Sequence, residues 1–168
     1  MNELKGIAKI NHFLNEFLLE FDVSVCLGLD FGYSMSHHVI EYALAVTEKE
    51  DKFFMDNFHR LAPDIKCDTF LISFLHELGH HMTMPHLSPE DLHCQKIVGE
   101  LQDELDEEGI TEEKEREIHQ KYYNLPIEKV ATEWAINYMR ENTEKIAHFW
   151  KGFQEIVQEF YKINNITE

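Results

Sequence analysis

Apolar side chains recur every three or four positions through most of this chain, and one segment, residues 23–46, departs from that pattern. In residues 3–21 the helical spacing predicts an amphipathic helix. In 23–29 apolar residues alternate with small or polar ones, and 39–46 is rich in β-formers, so each run predicts a strand. We expect these two strands to pair as an antiparallel hairpin.

The rest of the sequence carries start and stop signals for helices. A helix over 49–61 is expected to end before Pro63, and Asp68 or Thr69 can cap a helix that runs toward Met82. Further helices are predicted to start at Ser88–Pro89, at Pro126 and at Thr143, with two charged helices around 100–117 separated at Gly109. The expected fold is therefore α+β, with an N-terminal helix and a small antiparallel sheet packed on a mostly helical body.

Length and charge limit the number of domains and the class of partner. A chain of 168 residues that is 43% hydrophobic can bury one core, so we expect a single domain over 1–168, with an acidic helical insertion at about 88–124. The net charge of −17 repels phosphate backbones and anionic lipids. We therefore expect a protein or peptide partner that is basic or neutral, and neither nucleic acid nor a membrane; the oligomeric state stays open.

The expected location is the cytoplasm. The N-terminal residues 1–6 have no basic stretch followed by an apolar core, which a secretory signal requires. The apolar runs are far shorter than the roughly 20 residues of a membrane-spanning helix. The three cysteines are odd in number and widely separated, which suits reduced thiols.

The chemistry-bearing residues concentrate in the segment His-Glu-Leu-Gly-His at 76–80. His76 and His80 are four apart on a predicted helix, so both imidazoles project from one face and can hold one ion. Zinc suits two neutral imidazoles and one carboxylate, with a fourth position left for water. Glu77 is placed to take a proton from that water and return it to a leaving amine. Gly79 would let another element approach closely.

Two residues compete to be the third protein ligand. Glu128 is preferred because its neighbours on the helix face are all small, namely Ala131, Thr132 and Ala135. Glu133 points to another side of the same helix. His86 has the spacing of the third histidine in the metzincins, but Thr83 stands where that motif needs glycine for a sharp turn.

The two segments together resemble the ImmA/IrrE family of zinc metallopeptidases. The first shared motif is the helix at 76–80, and the second is Glu-x-x-Ala-x-x-aromatic-Ala, here 128–135 with Trp134 as the aromatic residue. The resemblance implies His76, His80 and Glu128 as zinc ligands and Glu77 as the catalytic residue. It also implies a regulatory protease. Thr132 stands where the family usually has Asn.

Other functions fit parts of the pattern. A catalytically silent interaction protein with structural zinc is the main alternative, and a fourth protein ligand such as His86 would favour it. The pairs Glu77-x-x-His80 and Glu90-x-x-His93 also suit a di-iron helical bundle, but the connection between them is short and contains two prolines. Three tyrosines could donate a hydrogen bond to an oxyanion, although packing is the simpler explanation for them. They are Tyr122, Tyr123 and Tyr138.

Overall fold

The computed structural model describes residues 6–44, 48–84, 88–105 and 109–165, excluding the side chains of 48–51. Within these residues the chain has seven α-helices, one short 3-10 helix and one three-stranded sheet, which confirms the predicted α+β class. The chain divides into two compact units, 1–44 with 137–168 and 45–136. Among the described helices, none has the length and apolar character needed to cross a bilayer.

The first unit contains the sheet, whose pairing differs from the prediction. β1 (Ser24–Leu27) pairs in parallel with β3 (Val39–Tyr42), and the other edge of β3 pairs antiparallel with β2 (Gly32–Ser34). The predicted antiparallel hairpin between β1 and β3 is therefore wrong, and the sheet is mixed. The reason is that part of the intervening segment is itself a strand. β2 joins β3 through a turn that ends at His38, in the left-handed region (φ 50°), and so occupies the antiparallel edge.

Two helices pack through aromatic rings in the same unit. α1 (Ile7–Leu18) meets α7 (Thr143–Asn164). The ring centroid of Phe149 lies 4.1 Å from that of Phe17 and 5.5 Å from that of Phe13. Burial of such rings is a main source of stability. Fully or nearly fully buried apolar residues of this unit are Ile10, Leu14, Leu18, Ile40, Tyr42, Ile146, Phe149, Phe153 and Phe160.

The second unit is helical. Its helices are α2 (Glu48–Leu61), α3 (Thr69–Thr83), α4 (Pro89–Leu105), α5 (Glu112–Tyr123) and the first part, up to residue 136, of α6 (Pro126–Glu141). Asp68 caps α3, since its carboxylate accepts a hydrogen bond from the Phe70 N–H at 2.9 Å. Ser88 and Asp91 cap α4 reciprocally, at 2.9 and 3.1 Å. These caps agree with the predicted starts.

Two further boundary predictions have different outcomes. The predicted interruption of the acidic stretch at Gly109 is confirmed, because Gly109 adopts a positive φ of 83° and lies between α4 and α5. The predicted cap Thr143 is wrong by one residue. Asn142 holds the N-cap position of α7, without a side-chain cap hydrogen bond, and Thr143 is the first helical residue.

Most of α3 is buried, so some of its polar residues lie in the interior together with its apolar residues. Its buried positions include five large apolar residues. The buried apolar residues are Leu71, Ile72, Phe74, Leu75 and Leu78. His76 and His80 are buried among them. Buried polar groups need partners, so these two histidines mark the site.

Candidate metal centre

Three buried side chains of the second unit converge on one point. α3 presents His76 and His80 on one face, and α6 brings Glu128 against them. Their relative exposures are 4%, 6% and 3%. Isolated ionisable groups at such burial are costly, so this group must share a compensating charge or bind an ion. Within the described residues, the three can together offer ligand atoms to one metal ion.

The three candidate ligand atoms form a nearly equilateral triangle. His76 Nε2 lies 3.1 Å from Glu128 Oε2 and 3.1 Å from His80 Nε2, and His80 Nε2 lies 3.4 Å from Glu128 Oε2. A tetrahedral shell with bonds of about 2.0–2.1 Å places its ligand atoms about 3.3 Å apart. The triangle therefore has the size that such a shell requires.

The electrostatics of the group favour a positive charge within it. Desolvation alone would raise the pKa of Glu128, but hydrogen bonds to His76 and His80 outweigh it and lower the pKa to about 2. Desolvation likewise lowers the pKa of His80, yet the bond to Glu128 and the charges of Glu77 and Glu128 shift it upward overall. A proton or a divalent cation can supply the charge that these shifts favour.

Close contact between two helices brings Glu128 to the histidines. A Cβ built on Gly79 would lie 3.0 Å from the Cα of Ala131 and closer still to its carbonyl oxygen. Only glycine permits that approach, as the sequence predicted. Ala131, Thr132 and Ala135 are buried on the face of α6 that carries Glu128, whereas Glu133 is exposed, also as predicted.

Two neighbours orient the first histidine. Thr132 Oγ1 lies 3.1 Å from His76 Nδ1, which leaves Nε2 directed toward Glu128 and His80. Phe54 of α2 packs edge-on against the His76 ring, with centroids 5.7 Å apart. Histidines that bind metals usually have such a partner on the second nitrogen, which holds the ring in place. His80 Nδ1 is buried and has no hydrogen-bond partner among the described residues.

A carboxylate and a phenol lie beside the triangle. Glu77 is half-buried and its charge acts on both His80 and Tyr122. Desolvation raises the pKa of Tyr122 well above its usual range, and the charges of Glu128 and Glu77 raise it further. The Tyr122 phenol is therefore a neutral hydrogen-bond donor next to two carboxylates.

The other candidate residues are placed as follows. Tyr123 packs against Phe54, and the Tyr138 hydroxyl, in the first unit, donates to Glu20 at 3.3 Å. Glu90 and His93, named for the di-iron alternative, are exposed and do not join the group within the described residues. His86 lies outside the described residues.

Sequence reasoning did not single out Tyr122 from its two neighbours or find the contact of Phe54 with His76. Both depend on how α2 and α5 pack, and no local pattern encodes that packing. No family model matches the sequence, and neither a curated protein nor a solved structure is similar enough to match it.

Proposed function

We propose that the chain is a zinc-dependent metallopeptidase, with His76, His80 and Glu128 as ligands and Glu77 as general base. The observation that carries the proposal is the buried triangle of two imidazole nitrogens and one carboxylate oxygen, with sides of 3.1, 3.1 and 3.4 Å. The resemblance of the two helical motifs to the ImmA/IrrE family supports the same assignment.

Zinc is the metal that best suits this donor set. Two neutral imidazoles and one carboxylate are a common catalytic zinc set, and they leave a fourth tetrahedral position for water or substrate. The second carboxylate, Glu77, follows a ligand directly in the sequence and acts electrostatically on His80. Hydrolysis needs a carboxylate beside the open position, and a purely structural site does not need one.

The structural-zinc alternative requires a fourth protein ligand. The donor group found within the described residues has three members, and the candidate fourth ligand, His86, lies outside those residues. The proposal of an enzyme therefore rests on Glu77, the second carboxylate next to the ligand set. A measurement of the metal coordination would distinguish the enzyme from the interaction protein.

The proposed reaction divides the chemistry between the ion and the side chains. A bound zinc ion would polarise water and the substrate carbonyl. Glu77 takes one proton from the water as the water oxygen bonds to the carbonyl carbon, and it then returns the proton to the nitrogen as the carbon–nitrogen bond breaks. The neutral phenol of Tyr122, which hydrogen-bonds to Glu128 in the structure, would turn its single donor to the carbonyl oxygen while negative charge develops there.

A comparison of two matched variants tests the proposal. Glu77→Gln should keep the metal and lose cleavage of a peptide library, read as new amino termini by mass spectrometry. Glu133→Gln makes the same chemical change at an exposed position of α6 and should leave cleavage unchanged. If the zinc-loaded wild type gives the same products as Glu77→Gln, the proposed mechanism is wrong.

A further inference from the structure

A cleft between α2 and α5 lies one layer of side chains from the candidate metal centre. Its volume is about 530 Å³, within the range of ligand-binding sites. Residues 52, 53, 56, 57 and 60 of α2 form one wall, and residues 116, 119, 120 and 123 of α5, with the C-cap residue Asn124, form the other. Both sets follow helical spacing, so each wall is a single helix face.

The cleft carries a local excess of positive charge in a strongly acidic chain. The whole sequence has 15 lysines and arginines against 32 aspartates and glutamates. Among the residues that line the cleft, however, three are cationic, Lys52, Arg60 and Arg116, and one is a carboxylate, Asp56. A cleft with this balance attracts an anionic group that the rest of the surface repels.

The arginines differ in how far their charge is already compensated. Arg116 pairs with Glu112 at 3.2 Å on the same helix. The Arg60 guanidinium instead donates to the neutral amide oxygen of Asn57 at 2.9 Å, a contact that brings no negative charge to it. Arginine binds carboxylates through paired N–H donors, so Arg60 is the residue best suited to an acidic ligand.

Aromatic rings give the cleft an apolar side. The rings of Phe53 and His119 stack with centroids 4.6 Å apart and planes 17° apart, and Tyr123 continues the stack at 6.0 Å from His119. A cleft with cations and stacked rings suits a carboxylate next to an aromatic or other apolar side chain.

The aromatic side also connects the cleft to the proposed reaction centre. Phe54 contacts the His76 ring at 5.7 Å and the Tyr123 ring at 6.0 Å between centroids. Tyr122 and Tyr123 are adjacent in sequence, and Tyr122 lies beside Glu128 while Tyr123 lines the cleft. A ligand in the cleft would therefore lie close to the metal ligands.

We infer that this cleft is a substrate subsite that binds an acidic segment of a peptide, with Arg60 and Lys52 contacting its carboxylates and the Phe53–His119 stack its apolar side chain. The inference rests on the proposed peptidase function in taking the peptide as substrate. A polyanion such as a nucleic acid is a poorer fit, because the remaining surface of this acidic chain would repel its phosphates.

Direct binding to the Glu77→Gln protein tests the subsite without requiring turnover. The probe is a fluorescein-labelled peptide with a central Glu-Phe-Glu in a glycine-serine background, and its partner carries Gln-Phe-Gln. Anisotropy is measured at about 0.15 M salt, where a Debye length of about 8 Å screens distant acidic groups. The acidic peptide should bind at least about tenfold more tightly, as expected for hydrogen bonds to charged groups.

Matched charge reversals show where the peptide binds. Lys52→Glu with Arg60→Glu should remove the preference for the acidic peptide. The control, Lys151→Glu with Lys162→Glu at exposed positions of α7, makes the same change in net charge and should keep the preference for the acidic peptide. Phe53→Ala should weaken the binding of both peptides. Circular dichroism and the zinc content of each variant show whether it is folded.

Three results would overturn the subsite. The first is equal binding of the two peptides, and the second is an equal loss of the preference for the acidic peptide in the α7 control variant. The third is displacement of the acidic peptide by a single-stranded oligonucleotide at a lower concentration than by unlabelled acidic peptide. If instead the acidic peptide binds as expected but zinc-loaded wild type cleaves nothing, the proposed peptidase is wrong and the acidic-peptide cleft remains.

Discussion

The hydroxyl oxygen of Thr132 lies 3.1 Å from Nδ1 of His76, on the side of the imidazole opposite the candidate ligand atom. When Nδ1 carries the proton, it donates to Thr132 and Nε2 keeps its lone pair for a metal. A hydroxyl on α6 therefore restrains the direction of a ring on α3, and it can accept the proton that Nδ1 carries in the metal-binding tautomer.

Removal of this hydroxyl should weaken metal binding without removing a ligand. Thr132→Val keeps a similar shape, and we expect the zinc affinity to fall about ten- to a hundredfold, the usual effect of losing such a partner. Thr132→Ser retains the hydroxyl and serves as the control. Competition with a chromophoric chelator measures the affinity, and equal affinities for the Val and Ser variants would contradict this role for Thr132.

The contact between Gly79 and Ala131 makes a second prediction. A Cβ at Gly79 would overlap the Ala131 backbone, which cannot rotate away as a side chain can. Gly79→Ala should therefore destabilise the metal-free protein by about 1–3 kcal/mol or more. The measurement is urea unfolding followed by circular dichroism.

Gly99 provides the control for that substitution. It also lies within a helix, α4, but a Cβ there would meet nothing within 4 Å. Gly99→Ala should leave stability unchanged or raise it by up to about 1 kcal/mol, because alanine is the better helix former. If the two variants had the same stability, close packing of α3 on α6 would not be what requires glycine.

Local sequence signals predicted the helices well because each signal acts within a few residues. The cap at Asp68, the break at Gly109 and the start at Pro126 depend on neighbouring backbone groups, and all three are found in the structure. The cap at Thr143 was misplaced by one residue because Asn142, also a common cap residue, precedes it.

The sheet was predicted less well because strand pairing depends on residues distant in sequence. β2 has only three residues, Gly32–Ser34, which is too short to show alternation. Without that strand, β1 and β3 read as consecutive partners and an antiparallel hairpin was the simplest connection. With it, β1 takes the free edge of β3 and runs parallel.

The candidate site was only partly predictable, because some of its signals are local in sequence and others depend on tertiary packing. The spacing of His76 and His80 is a local signal, and the small residues beside Glu128 indicated a face that could approach another helix. The structure brings these three side chains together, while their role as ligands stays a prediction. The positions of Tyr122, Phe54 and the α2–α5 cleft depend on tertiary packing and had no local signal.

Cys67 should react unusually slowly with alkylating agents. Desolvation, with a smaller contribution from the charge of Asp68, raises the pKa of the Cys67 thiol to about 12. The thiolate is the nucleophile, so at neutral pH almost all of Cys67 is in the unreactive thiol form. We expect its rate of modification by iodoacetamide, followed by mass spectrometry, to rise with pH and to show no plateau near the ordinary thiol pKa of about 8.5.

Two comparisons make that prediction specific. The same cysteine in urea-unfolded protein should reach its plateau near the ordinary pKa. Asp68→Asn removes the charge but keeps a good cap for α3, so it should make Cys67 more reactive without unfolding the helix. A plateau below about pH 9 in the folded wild type would show that the thiol is not shielded as described.

The cap itself should contribute measurably to stability. Asp68→Ala removes the acceptor that binds the Phe70 N–H and is expected to lower the free energy of unfolding by about 1 kcal/mol. Asp68→Asn should lose much less, because asparagine caps helices about as well as aspartate. Urea unfolding at neutral pH compares the two, and an Ala variant as stable as the Asn variant would rule out a contribution from the cap.

Zinc content after dialysis tests the central claim most directly, with wild type, His80→Ala, Glu128→Ala and Glu133→Gln compared by mass spectrometry of the metal. We predict that wild type and Glu133→Gln retain zinc at one ion per chain, while His80→Ala and Glu128→Ala, folded by circular dichroism, lose it. Retention of zinc by either folded ligand variant, or its absence from wild type prepared with excess zinc, would contradict the account.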